Sequence, residues 1–421
     1  MIFILKEYRA MVTMKIKKVI YFVYAPFCQR DYKRFGIEIM NNNGFLVEVW
    51  DFTPIIYPEA YQDLKPLDSI DISKHSYYKI YLRKIEAKQA IANLKKDTII
   101  ISIEPGYRSK TDFIYKGLSK ANISYCFFCS NAIPTYTKIK ELYSGINKCN
   151  FMYFYNKFKS VNLSKISKFI FKNISHYWFT IQLSEFIFAG GSQSIVNYNI
   201  PRSIYTKIVW CHTLDYDLYL DDIKVGFKKK LKSEKYVVFI DGYVPFRPDY
   251  IFRNVKTPIT PEIYYSILCN FFKYVEEKTV LKVIIAAHPR AKYEEHPDYF
   301  RGREVIRGET RDLIRGCEFV LAHCSTSLSF AVLYKKPVIF ITTNDLERST
   351  VDANYIYSYS WEFKKNAHNI EQNYDIDWNK ELIINEKIYN NYKEKYIKKN
   401  GSKEEYYWQI VADEIKKMEK Y

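Results

Sequence analysis

No apolar run in the chain reaches the roughly 20 residues that a membrane-spanning helix requires, so no transmembrane helix is expected. The opening Met1–Leu5 is too short for a secretory core, and no cleavage site follows it. Met14 begins a more natural first strand, and residues 1–13 read as a disordered extension or an alternative start. Paired cysteine spacing is also missing. Eight cysteines are scattered at 28, 126, 129, 149, 211, 269, 317 and 324, and the lone Cys126–Cys129 pair lies inside an apolar run. That excludes a disulfide framework and a zinc knuckle, and reduced, buried thiols suit a cytoplasmic protein. An RNA-binding aromatic signature and a basic heptad helix are absent too, as is any repeat at a fixed period. The formal charge of +17 therefore points away from nucleic acid. It points towards an anionic membrane surface or a phosphorylated small molecule.

What is present suits a large soluble fold. Its 421 residues suggest two domains, and 48% hydrophobic against 26% charged residues allows each a core. The 40 tyrosines are read as compositional bias, without functional meaning. Short apolar runs at 18–24, 45–50, 97–103 and 123–129 alternate with helical patterns at 31–41, 81–94 and 111–120. Such alternation predicts a parallel sheet covered by helices. Further strands are expected at 185–189 and 208–212, the first closed by Gly190-Gly191-Ser192. The charged text from Asp221 to Lys235 reads as a linker. Residues 1–220 are then a first domain and 236–421 a second, which ends in a helix at 403–420. Within the first, residues 150–175 break the pattern. Leu163, Ile166, Ile170 and Ile174 share one helical face, and Lys165, Lys168 and Lys172 the other. A basic amphipathic helix of this kind lies on anionic membranes, although a solvated surface helix has the same pattern.

The second domain carries the polar clusters. The run Tyr236–Ile240 ends in Asp241-Gly242, Val283–Ala287 in His288-Pro289-Arg290, and Phe319–Ala322 in His323-Cys324-Ser325-Thr326-Ser327. Ligands of open parallel sheets sit beyond the carboxyl ends of strands. Ser325 or Thr326 opens a helical segment, where backbone N–H groups favour an anion. His288, Pro289, Arg290, Ser325, Thr326 and Ser327 together read as a phosphate cradle. Glu309, after the strand-like 304–306, is a candidate for ribose hydroxyls. Asp241 could act as a general base towards a hydroxyl within reach. Asp215-Tyr216-Asp217 has the DxD spacing of a metal site. It stands far in sequence from the cradle, so lining the cleft is the expectation and no metal is called for.

The triad Ile240-Asp241-Gly242, His288-Pro289 and Ser325-Thr326 resembles the acidic-Gly, His-Pro and Ser-Ser/Thr motifs of bacterial sialyltransferases of the two-domain GT-B type. The wider segment 317–341 is similar to bacterial surface-polysaccharide glycosyltransferases. The resemblance covers mainly residues 236–343. It implies an α/β GT-B fold, with two Rossmann-like domains whose parallel sheets face across a cleft. It also implies inverting, metal-free transfer of a nonulosonic acid-type sugar from a CMP-sugar to a glycan hydroxyl. On it, Asp241 is the base, and His288, Ser325 and Thr326 bind the donor phosphate. Position 240 is Ile where the family has a first acidic residue, which leaves Asp249 as a rival base and Glu104 as a third. Two other readings stand beside this one. The first is the same fold with a UDP- or GDP-sugar, served by extra cations such as Arg290 and Arg307. The second is a non-catalytic basic protein that binds polysaccharide or membrane.

Overall fold

The structure, a computed structural model, describes residues 15–63, 76–103, 110–135, 181–196, 200–202, 206–226, 232–253, 255–371, 374 and 376–418. The predicted basic helix at 150–175, Glu104 and residues 1–13 lie outside them. Among the described residues, thirteen strands form two sheets. The first holds β1 (Lys18–Val23), β2 (Leu46–Asp51), β3 (Tyr78–Ile80), β4 (Thr98–Ser102), β5 (Ser124–Cys129), β6 (Phe186–Ala189) and β7 (Lys207–Trp210), in the order β3-β2-β1-β4-β5-β6-β7. The second holds β8 (Tyr236–Ile240), β9 (Lys282–Ala287), β10 (Val305–Arg307), β11 (Val320–Ala322), β12 (Val338–Thr342) and β13 (Ala367–Asn369), in the order β10-β9-β8-β11-β12-β13. Neighbouring strands pair in parallel throughout, as β1 does with β2 and β4, and β8 with β9 and β11.

The continuous apolar runs become strands because both faces are covered. Val19, Tyr21 and Val23 point into one core of the first domain, while Ile20 and Phe22 point into the other. The second sheet is covered in the same way. In each sheet the chain winds outward from β1 or β8 in both directions, leaving a crevice at that switch point. Two parallel α/β domains so built are the GT-B architecture expected from the sequence.

The domain boundaries differ from those expected. The helix Leu214–Val225 runs five residues, Asp221 to Val225, into the predicted linker. Its Leu214 sits in the first core, and its Tyr216 and Leu220 in the second. The boundary thus passes along this helix. The last helix is Tyr407–Lys417, and it belongs to the first domain. Tyr407, Trp408, Ile410, Val411 and Ile415 are buried among the strands of the first sheet. Its apolar residues recur at helical spacing, but sequence order alone had attached it to the nearer domain.

Two glycines make this return possible. The predicted helix 31–41 is broken into Gln29–Arg34 and Ile37–Asn42 by Gly36 at φ +54°. A side chain there would strike the Trp408 ring. Gly191, after β6, lies against the backbone of Lys395 and Tyr396 where the chain crosses between domains. Gly191→Val should therefore unseat the crossing and destabilise the protein by about 1–3 kcal/mol or more, the usual cost of overpacking. Urea unfolding checks this, and an unchanged midpoint would contradict it. Among the described residues no helix is long and apolar enough to cross a membrane.

Candidate functional site

The turns after β8, β9 and β11 meet at the switch point of the second sheet. Asp241 is buried there, and its carboxylate is already occupied. Oδ1 accepts the Tyr243 N–H at 2.8 Å. Oδ2 accepts the His288 N–H at 3.3 Å and the Tyr293 hydroxyl at 2.6 Å. Burial raises its pKa above the usual carboxylate range, against the pull of Tyr293, Tyr243, His288 and Arg247. Three donors fill most of its acceptor sites and it is 3% exposed, so little of the Asp241 carboxylate faces an incoming hydroxyl. The geometry makes it the bracket that fixes the His288 turn.

His288 is set for an anion. Its Nδ1 accepts the Arg290 N–H at 3.1 Å, so the neutral ring carries its proton on Nε2. Its ring stacks on Tyr243 with centroids 5.9 Å apart. Burial, followed by the charges of Arg290, Arg247 and Arg30, pulls its pKa down to about 3. The resting side chain is therefore a neutral N–H donor among guanidinium groups. Arg290 is itself held below its ordinary pKa by burial and by Arg30. Arg247 donates to the buried Asp352 at 2.8 Å, and Tyr250 donates to the same carboxylate. Pro289 is exposed in the turn between His288 and Arg290.

Arg30 comes from the other domain. It sits on Gln29–Arg34, the short helix after β1. Arg34, four residues on, shares its face and pairs with Asp215 at 3.6 Å. Asp215 also accepts the Ser329 hydroxyl at 3.0 Å. Arg34, Thr213, Asp215, Thr326 and Ser329 line an interdomain cavity of ≈110 Å³, closed on one side by Tyr359, Tyr392 and Tyr396. One basic helix face thus spans both halves of the cleft.

The other predicted residues fall as follows. Ser325 accepts the Ser327 N–H at 3.1 Å and shapes the turn. Thr326 is exposed and reaches the cavity. Ser327 occupies the cap position of the six-residue helix Leu328–Leu333 without a capping bond from its side chain. Glu309 is exposed at the cap of Thr310–Gly316, and no contact among the described residues joins it to His288. Arg307 is turned away and pairs with Glu294 at 2.7 Å. His323 is buried, bonded to the Ile341 carbonyl and the Tyr264 hydroxyl, and belongs to the core.

The DxD carboxylates separate. Asp215 lines the cleft, as expected, and Asp217 accepts the Tyr407 N–H at 2.8 Å. Burial pushes Asp217 up to about 7. Among the described residues no group of three or more His, Cys, Asp or Glu side chains is placed to hold a metal. Asp249 is exposed on the helix Pro248–Arg253, and its charge reaches Arg290 and Arg247. Arg30, Arg34 and Tyr293 were missed from the sequence. Two arginines four apart just after the first strand were the available signal for the first pair. Tyr293 had none, because only the fold turns it under Asp241.

No protein-family model matches the chain. One curated relative, an oligoendopeptidase F homolog of Borreliella burgdorferi, is 26% identical over 180 residues, 42% of this chain and 30% of that protein. The chain thus spans under a third of that relative's length. Among solved structures, UDP-GlcNAc 2-epimerase from Methanocaldococcus jannaschii is 12% identical, with a TM-score of 0.42, over 94% of this chain and 98% of that one. Acinetobacter baumannii MurG is 10% identical at 0.45, over 95% and 99%. A variant of the wall teichoic acid polymerase TagF is 11% identical at 0.49, over 97% and 90%. At these scores the fold of the present chain rests on its own strand order and on the cores that cover each sheet.

Proposed function

We propose that the protein is a metal-independent glycosyltransferase that moves a sugar from a nucleotide donor to a hydroxyl of a surface glycan. The observation that carries this is the meeting of Arg30, from the first domain, with His288 and Arg290, from the second. A cleft lined by cations and one neutral N–H donor suits a phosphate that leaves with growing negative charge. Fixed donors aimed at such a charge are a large catalytic term. The interdomain cavity beside Arg34, Asp215 and Thr326 holds ≈110 Å³, less than whole ligand sites of roughly 300–1,000 Å³, so the proposal has the domains part when the donor enters. The acceptor hydroxyl is taken to enter from the first-domain side, with Asp249 as the base in place of Asp241.

The donor we favour is a sugar nucleoside diphosphate. Arg290, Arg30 and Arg247 lie around one histidine, the last two paired with Asp31 and Asp352, and a diphosphate brings more negative charge to compete for those pairs than a single phosphodiester does. The CMP-nonulosonate reading keeps its support from the motif triad and is the second choice. The lysine excess supports work at an anionic, cytoplasmic membrane face on lipid-linked glycans. A thermal-shift panel with UDP, GDP, CMP and pyrophosphate tests the donor class. UDP or GDP should raise the midpoint, with pyrophosphate doing so in part. A shift with CMP alone would restore the nonulosonate donor, and no shift with any of the four would contradict the proposal.

A further inference from the structure

The first domain carries a second cavity that the cleft chemistry does not use. It opens at the amino ends of β1, β2 and β4, where Lys18, Leu46 and Thr98 lie in register. The cleft lies beyond the carboxyl ends of these strands. The cavity runs along the sheet face from the amino ends to Trp50 and Tyr81, and it shares no lining residue with the interdomain cavity. The cavity holds ≈500 Å³, within the range of small-ligand sites. Its floor is built. Glu48 is nearly buried and accepts Lys18 at 2.8 Å, Lys79 at 2.9 Å and the Trp50 indole N–H at 2.8 Å. The part-exposed Tyr81 ring stands at its side, 5.2 Å from Trp50, which is buried and stacked on Phe22. Four lysines face two acids, Glu48 and Asp97. Glu48 engages two of them. Lys17 and Lys95 stay exposed at the rim and make no ion pair among the described residues.

We propose that this cavity binds one acidic sugar unit of a saccharide. The Tyr81 ring takes the apolar face of a pyranose. Two rim ammonium groups, Lys17 and Lys95, take its carboxylate or phosphate. An acid on the floor disfavours a polyphosphate, and a recessed wall disfavours a flat bilayer. Sharing no lining residue with the interdomain cavity, the site would hold a glycan at a unit that is not reacting.

The test is calorimetry with the full-length chain and four ligands. They are a galacturonate tetrasaccharide, a sialic acid tetrasaccharide, neutral maltotetraose and phosphatidylglycerol vesicles. At least one acidic tetrasaccharide should bind at least tenfold tighter than maltotetraose, and saturating UDP should leave that binding intact. Lys17→Glu with Lys95→Glu, both exposed and outside the core, should weaken it tenfold or more, while His288→Ala should not. Failure of both acidic saccharides to bind would overturn the proposal. So would binding unaffected by the two charge reversals, or charge-dependent binding to vesicles alone. The cleft reading is untouched by any of these results, because UDP binding is measured separately.

Discussion

Asp249→Asn should cut turnover by roughly 10²–10⁴, the usual worth of a positioned acid–base group, and leave nucleotide affinity nearly unchanged. Asp249 is the exposed carboxylate whose charge reaches Arg290, and its side chain is open to an incoming hydroxyl. Asp241→Asn should behave otherwise. The amide can accept only part of what the carboxylate accepts from Tyr243, His288 and Tyr293, and its own N–H₂ would face a donor. A loss of about 1–3 kcal/mol in stability follows from leaving such buried groups unmatched. Nucleotide affinity should fall with it, because the His288 turn loses its bracket. Measuring rate, affinity and unfolding for both variants separates the roles. If Asp241→Asn loses only turnover and Asp249→Asn loses nothing, the family motif has marked the base correctly.

The second large effect lies far from the chemistry. Trp408→Ala should destabilise the protein by about 3–5 kcal/mol, as expected for a buried tryptophan. The ring is almost fully buried and packs on Tyr21, Phe35 and Phe128. Its indole N–H donates to the Arg34 carbonyl at 2.6 Å. Trp408 therefore also pins the short helix that carries Arg30 and Arg34 into the cleft. At temperatures where the variant remains folded, nucleotide binding should still weaken, and calorimetry there checks it. A variant as stable as the parent would show that the last helix is not part of the first core.

The strands and their parallel arrangement were legible, because runs such as Val237–Ile240 and Ile284–Ala287 are apolar without alternation and are covered on both faces. The three polar turns were legible for the same reason, since each closes such a run. The partition between domains was not. A helix that leaves its own domain carries no mark of the sheet it will cover, so Tyr407–Lys417 was assigned by proximity. Gly36 in the middle of a helical pattern was the visible clue, but its reason, Trp408, lies 372 positions on. Asp241 shows a different limit. A carboxylate at a strand end reads the same whether it faces the cleft or folds under its own turn, and the deciding donor, Tyr293, follows through irregular chain.

The most direct test of the cleft is the titration of His288, followed by NMR in protein labelled with ¹⁵N-histidine, with and without UDP. In the free protein His288 should remain neutral, protonated at Nε2, well below the ordinary value of 6.5, because burial and three guanidiniums oppose a further charge. A bound phosphate supplies the missing negative charge, so UDP should shift the Nε2 resonance and move the midpoint upward. A His288 that titrates near 6.5 in the free protein, or resonances that UDP leaves in place, would contradict a phosphate site at this turn.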